Sequence, residues 1–251
     1  MGWVLDLDGV VWLGDQAIPG AAEAVARLRA AGQTVLFATN NSSQPVGEVE
    51  AKLASQGIPA EGDVITSAMA GASLVEPGER VLLCAGPGVT EALEGRGVEV
   101  VTDGPADAVI VGFHTWFDYA GLTRASTAVW GGARLIGTNA DTTYPTPAGP
   151  IPGGGAILAA VAAATGVEPM VAGKPYEPMA ALVRERLGPD GVMVGDRPST
   201  DGAFARTLGY RFLLVHTGLA ATEGVPDPVP DEEHADLLAA VAAHHPAAAA
   251  S

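Results

Sequence analysis

The sequence predicts an α/β protein: a parallel sheet covered by helices on both faces, with a second, smaller α/β domain inserted into it. Three observations predict it. Short apolar runs of strand length alternate along the chain with amphipathic helical patterns. The runs are nearly continuous in apolar residues, as strands buried on both faces must be. Polar residues break them at their carboxyl ends, where ligands collect in such sheets.

The first run, "WVLDL" at 3–7, leads to a helical stretch, "GAAEAVARLRAAG" at 20–32, and then to "TVLFAT" at 34–39. "VLLCAG" at 81–86, "AVIVGF" at 108–113 and "RLIGT" at 134–138 follow. "MVAG" at 170–173, "GVMVGD" at 191–196 and "FLLVHTG" at 212–218 close the series, with "PMAALVRERLG" as a helix between them. "GPGVTEAL" at 86–93 lacks the full dinucleotide fingerprint and reads as a strand-to-helix turn. "PGGGA" at 152–156 reads as a hinge or a helix start. More than 130 residues separate "TNN" at 39–41 from "GKP" at 173–175, and they carry strands and helices of their own. The expected division is therefore a core of residues 1–78 and 169–251 and an inserted domain of 79–168. The Ala-rich end, "AAVAAHHPAAAAS", is expected to be a last helix and a frayed tail.

Composition narrows the function classes. Apolar residues make up 48% of the 251 positions and charged ones 17%, the profile of a globular domain. Thirteen basic against 29 acidic residues give a net charge of −16, which argues against nucleic acid as a partner. No apolar run approaches the roughly 20 residues that span a bilayer, and the N-terminus lacks a signal pattern, so a cytoplasmic protein with no membrane partner is expected. Cys84 has no intramolecular disulfide partner and reads as a buried small hydrophobe. Trp12, Trp116 and Trp130 read as packing residues, His216 as a strand end, and His244 and His245 as tail residues without ligand roles.

Four strand ends each deliver a different polar group: Asp6 and Asp8, then Thr39 with Asn40 and Asn41, then Lys174, then Asp196 through Asp201. Any one of them alone reads as a helix cap or a turn. Together they describe a site. Asp6 and Asp196 are hard oxygen ligands at the ends of apolar strands, a donor type suited to Mg²⁺. Lys174 adds a positive charge, Thr39 a hydroxyl, and the amides after Thr39 are expected at a helix N-terminus. Such a set holds a phosphoryl group, and it shows how an acidic protein binds an anion.

"DLDGV", "TNN", "GKP" and "GDRPSTD", in that order, resemble the four motifs of haloacid dehalogenase-superfamily phosphatases. The insertion and "GTNADTTYPTPAGPIPGGGAI" at 137–157 resemble subclass IIA, the branch with a large α/β cap that includes 4-nitrophenylphosphatases and glycerol-3-phosphate, phosphoglycolate and N-acetylglucosamine-associated phosphatases. The resemblance covers residues 3–220 and implies a Rossmann-like three-layer core, Mg²⁺ as cofactor and a small-molecule phosphate ester as substrate. It further implies hydrolysis of small phosphomonoesters, such as sugar or glycerol phosphates, through an aspartyl-phosphate. On this resemblance Asp6 is the nucleophile and a metal ligand. Asp8 is the general acid and base, and its carbonyl is a second metal ligand. Thr39 holds a phosphoryl oxygen, with Asn40 and Asn41 as substrate-side contacts. Lys174 bridges nucleophile and phosphate, Asp196 is the last metal ligand, and Asp201 supports it from behind. The cap would choose the substrate near Asn139, Asp141, Thr143 and Tyr144, and caps of this size often pair into homodimers. Ser199 and His114 depart from the family pattern. A phosphomutase or dehalogenase on the same fold, or an idle phospho-ligand binding module, are the rival readings; the intact set Asp6, Asp8, Lys174 and Asp196 argues against an idle module.

Overall fold

The structure is a computed structural model that describes residues 1–144, 146, 149–218 and 225–246. Pro145, Pro147 and Ala148 of the 137–157 motif, and the tail from 247, lie outside the described residues. In chain order the strands and helices begin with β1 (Gly2–Leu5), β2 (Trp12–Leu13), β3 (Gln16–Ala17), α1 (Ala21–Ala30) and β4 (Thr34–Thr39). Next come α2 (Val46–Ser55), β5 (Val64–Thr66), α3 (Ser67–Ala72), β6 (Arg80–Cys84), α4 (Pro87–Leu93), β7 (Glu99–Val101) and β8 (Ala108–Val111). Then follow α5 (Tyr119–Trp130), β9 (Arg134–Gly137), β10 (Thr143–Tyr144), β11 (Ile151–Pro152), α6 (Gly154–Thr165) and β12 (Met170–Val171). The chain closes with α7 (Glu177–Leu187), β13 (Gly191–Gly195), α8 (Ala203–Leu208), β14 (Arg211–Val215), β15 (Glu232–His234) and α9 (Leu237–His244). One turn of π-helix, Pro198–Gly202, precedes α8.

The described chain forms two compact units. The first comprises Met1–Thr39, Val49–Ile65 and the chain from Ala180 onward. Its sheet has the order β15-β14-β13-β1-β4-β5, and β15 through β4 run parallel. From β1 the chain builds outward through β4 and β5 on one side, then through β13, β14 and β15 on the other. Such a reversal of strand order is where Rossmann-like sheets open a ligand crevice, beyond the carboxyl ends of the central strands. The strands are apolar along their length because both faces are covered: Trp3–Leu5, Val35–Ala38, Val192–Val194 and Phe212–Val215 are all buried. Each fully buried Leu, Val or Phe contributes about 1.5–3 kcal/mol.

The second unit comprises Asn40–Glu48 and Thr66–Met179 and holds a five-stranded sheet of order β12-β9-β8-β6-β7. Alternation along its strands sorts the side chains onto two faces. Leu82, Cys84, Val109 and Val111 join α5 and α6 through Ala125, Val129, Leu158 and Val161. Val81, Ala108 and Ile110 join α3 and α4 through Ala68, Ala72, Val89 and Leu93. α3 and β12 lie outside the segment 79–168, yet α3 contributes to this core and β12 pairs with β9. Four residues of "MVAG" do not reveal which of two sheets they extend.

"PGGGA" starts helix α6 and "GPGVTEAL" runs from β6 into α4, as their turn chemistry predicts. Two of the tryptophans do not pack as expected. Trp12 is buried, but Trp116 and Trp130 are each 64% exposed. His244 belongs to α9 rather than to a tail. No helix among the described residues is long and apolar enough to cross a membrane.

Candidate active site

In the first unit three carboxylates meet. Register brings the first two together: Leu5 of β1 pairs with Val194 of β13, so Asp6 and Asp196 follow on adjacent parallel strands. The Asp6 N–H donates to the Val194 carbonyl at 3.0 Å, extending the ladder to Asp6. Asp201 arrives on the π-helical turn, whose widened loop closes with Gly202 N–H to the Arg197 carbonyl. One oxygen each of Asp6, Asp196 and Asp201 lies within 4.8 Å of the others, and all three residues are buried. Three carboxylates in so small a buried space repel strongly unless a cation or shared protons compensate.

Glycines crowd the same point. Gly9 turns the chain with φ +86°, and a Cβ there would press into the Asp196 carboxylate. A Cβ at Gly218 would do the same, and one at Gly195 would strike Asp201. The Thr217 hydroxyl donates to the Gly9 carbonyl, tying the end of β14 to the turn after β1. Asp8 sits on that turn, and the buried Trp12 donates its indole Nε1–H to Asp8 Oδ1 at 3.0 Å. Trp12 therefore orients Asp8 as well as packing. Lys52 Nζ stands over the Trp12 ring, 4.2 Å from its centroid. Thr39 is buried at the end of β4.

The helix expected directly after Thr39 is displaced. α2 starts at Val46, behind Pro45, and Asn41 forms a local turn by accepting from the Ser43 N–H at 3.0 Å and the Ser43 hydroxyl at 2.7 Å. In the second unit Asn40 is a hub. Its Oδ1 accepts the Lys174 N–H at 2.8 Å, and its Nδ2 donates to the Lys174 carbonyl and to Asp141 Oδ2, both at 3.0 Å. The Asn40 carbonyl accepts from Asn139 Nδ2 at 2.8 Å and from the Ser67 hydroxyl at 2.7 Å. Asn139 Oδ1 in turn accepts the Asp141 N–H at 3.1 Å. Four expected site residues thus join in one network, with Lys174 held by its backbone and buried. Gly173 lets the strands approach: a Cβ there would collide with Asn40 Oδ1 and the Thr138 carbonyl. Close by in sequence, Tyr144 stacks on Phe113 with centroids 4.6 Å apart, while Thr143 is exposed.

The residues that depart from the motif pattern fall elsewhere. Ser199 is exposed on the π-helical turn. His114 is buried beside Cys84, Trp116 and Phe117, and burial holds its pKa below the ordinary histidine value. Burial pushes the Cys84 thiol up to about 11, against the pull of Arg124. His216 follows β14 and pairs with Glu233, as its strand-end reading implies. Ser67, Thr138 and the Trp12 indole escaped the sequence reading because their roles rest on long-range contacts that no local pattern encodes.

Family models match at both ends of the chain: haloacid dehalogenase-like hydrolase over residues 3–99 and a HAD-hydrolase-like model over 171–243. An acid sugar phosphatase of Staphylococcus saprophyticus is 35% identical over 231 residues, covering 89% of either chain. The chain belongs to the haloacid dehalogenase-like hydrolases. It is a phosphatase of that family. A 5′-nucleotidase of Bacillus subtilis is also 35% identical, over 93% of this chain and 94% of its own. Among solved structures, the p-nitrophenyl phosphatase of Archaeoglobus fulgidus aligns with a TM-score of 0.90 at 30% identity, covering 96% of this chain and 98% of that one. The glycerol phosphate phosphatase of Mycobacterium tuberculosis in complex with magnesium aligns with a TM-score of 0.85 at 33% identity, over 94% of this chain and 74% of that one. Acidic donors such as those of the first unit suit the divalent metal that haloacid dehalogenase phosphatases use.

Proposed function

We propose that this phosphatase hydrolyses small phosphomonoesters, of the sugar phosphate or glycerol phosphate kind, with Mg²⁺ as cofactor and an aspartyl-phosphate on Asp6 as intermediate. The observation that carries the reading is the buried convergence of Asp6, Asp196 and Asp201 at the switch point of a parallel sheet. The donor set fits the ion: it is all-oxygen and acidic, and Gly9, Gly195 and Gly218, having no Cβ, leave space for the Asp196 and Asp201 carboxylates. Asp6, the Asp8 carbonyl and Asp196 would hold it, with Asp201 behind them. Bound there, Mg²⁺ supplies charge neutralisation between the anionic nucleophile and a phosphate dianion.

The chain's own groups do the rest. An Asp6 oxygen attacks phosphorus; the bond to the ester oxygen breaks, and the departing alkoxide takes the proton of the Asp8 carboxyl. Asp8, now ionised, removes a proton from water as the water oxygen attacks the same phosphorus. The Asp6–phosphorus bond breaks, and inorganic phosphate and a free carboxylate result. Trp12 holds Asp8 for both transfers. Acid–base help of this kind is worth about 10²–10⁴-fold. Lys174 opposes charge on the equatorial oxygens, the Thr39 hydroxyl donates to one of them, and Asn40 fixes the backbone from which Lys174 extends. The inserted segment 79–168 is assigned the choice of substrate, around Asn139, Asp141, Thr143 and Tyr144. The working compartment on this reading is the cytoplasm.

Turnover of glycerol phosphate and 4-nitrophenyl phosphate, with Mg²⁺ and with excess chelator, tests the proposal. Hydrolysis of both esters with Mg²⁺ and none with chelator is expected. Full activity in chelator after removal of trace metal would overturn the metal assignment.

A further inference from the structure

A second cluster of ligating side chains lies at the far edge of the first unit's sheet, and phosphate chemistry gives it no task. Alternation along β15 puts Glu232 and His234 on one face. Glu233 faces the other way and meets His216 there. α9 ends at His244, whose ring returns over the first face. Nε2 of His234 lies 3.0 Å, and Nε2 of His244 3.1 Å, from the same oxygen, Glu232 Oε2. The three ligand atoms lie within 4.8 Å of one another.

We propose that Glu232, His234 and His244 form a site for a transition-metal dication of the Zn²⁺ class, distinct from the carboxylate site of catalysis. Spacing supports it. Ligand atoms about 2.0–2.2 Å from zinc, at tetrahedral to octahedral angles, stand roughly 3–3.5 Å apart. Both nitrogen–oxygen distances fall in that interval. The carboxylate is already oriented: Arg211 engages Glu232 Oε1 and leaves Oε2 to the imidazoles. The His244 ring is set by Trp3, which meets it edge-on with centroids 5.7 Å apart. The side chains are 29%, 15% and 20% exposed for Glu232, His234 and His244, enough for an ion to enter with water completing its coordination.

Donor chemistry separates the two sites. Two imidazoles and one carboxylate suit Zn²⁺, Ni²⁺ or Cu²⁺, whereas Mg²⁺ prefers oxygen ligands and keeps its waters. The ion would clamp α9 to edge strand β15. α9 is also held by its buried Leu237, Ala240 and Val241, and Leu238 packs against Gly20 ahead of α1, so the ion would add to an existing apolar contact. Its role is therefore in stability rather than in turnover.

The test is calorimetric titration of Zn²⁺ into the full, chelator-stripped chain held in excess Mg²⁺, with Asp196→Asn, His234→Gln and His244→Gln run beside it. One Zn²⁺ per chain is expected in the unaltered protein and in Asp196→Asn. Each histidine substitution removes a ligand and should weaken binding by more than the roughly 10–100-fold that loss of an outer partner costs. Zn²⁺ should also raise the thermal midpoint of the unaltered chain and leave that of His244→Gln unmoved. His244 ends its helix and is partly exposed, so its substitution leaves the fold to be compared. No uptake above Mg²⁺, or uptake indifferent to both histidines, would overturn the site and leave two imidazoles donating to a carboxylate.

Discussion

The two units use polar side chains in opposite ways. In the first, Asp6, Asp196 and Asp201 crowd like charge into one buried space. In the second, Asn40 spreads hydrogen bonds outward to Lys174, Asp141, Asn139 and Ser67. A site of concentrated charge costs stability and supplies chemistry; a hydrogen-bonded network centred on one amide stabilises and supplies orientation. Substitutions in the first unit should therefore end the reaction while sparing the fold. Substitutions in the second should loosen the fold and slow the reaction together.

Asp6→Asn gives the sharpest form of that contrast. Turnover should drop to background with every ester, and the thermal midpoint should hold or rise, because one of three repelling carboxylates is gone. A midpoint that falls by several degrees would break the comparison. Asp8→Asn comes next. Glycerol phosphate hydrolysis should fall by about 10²–10⁴-fold, since its alkoxide needs a proton. The first step on 4-nitrophenyl phosphate should fall far less, because nitrophenolate leaves unaided. A burst of nitrophenol followed by slow turnover should appear. Equal losses on both esters without a burst would make Asp8 a structural residue.

Asn40→Ala tests the other unit. It removes the amide that bonds the Lys174 N–H and carbonyl, a loss of about 1 kcal/mol for each such hydrogen bond. Thermal stability and kcat/KM should both drop, the latter by roughly 10²-fold if Lys174 moves by an ångström. Trp12→Phe keeps an aromatic side chain but loses the five-membered ring of the indole and with it the donor to Asp8. It should slow glycerol phosphate by about tenfold, the worth of one hydrogen bond to a charged group, and scarcely touch the nitrophenyl ester.

The smallest effect concerns pH. The Asp231 carboxylate accepts the Phe212 N–H at 2.8 Å and faces Arg206, and it sits below the ordinary carboxylate range. A depressed folded-state pKa stabilises above the unfolded value, and that contribution is lost as pH falls through the folded one. Asp231→Asn should lower the thermal midpoint slightly at pH 7 and not at all at pH 2, as read by parallel melts.

Much of this was legible in the sequence, for physical reasons that differ from place to place. β4 runs over Thr34–Thr39, as "TVLFAT" predicts, because a strand buried on both faces announces itself by composition. Asp6 and Asp196 stand out as carboxylates that interrupt such strands. Asp201 was placed by resemblance; the π-helical turn that delivers it has no sequence signal of its own. α3 and α5 were not foreseen: α3 is only six residues long, and both are rich in Ala, Ser, Thr and Gly. Asn40, Asn139 and Asp141 were named as substrate-side residues, but the bonds Asn40 makes to the other two were not foreseen, since they span about a hundred residues of chain. Exposed Trp116 and Trp130 contradict the rule that tryptophans pack, which holds on average and fails on individual surfaces.

On the proposed reading, the crowded carboxylates of the first unit make Asp6 a metal-dependent nucleophile. Mass analysis of the Asp8→Asn protein, quenched during turnover of 4-nitrophenyl phosphate, tests it most directly. With Mg²⁺ present, one phosphoryl group per chain should be found on the peptide carrying Asp6, and none in excess chelator. An unmodified Asp6 during continuing hydrolysis, or equal phosphorylation without metal, would contradict the account.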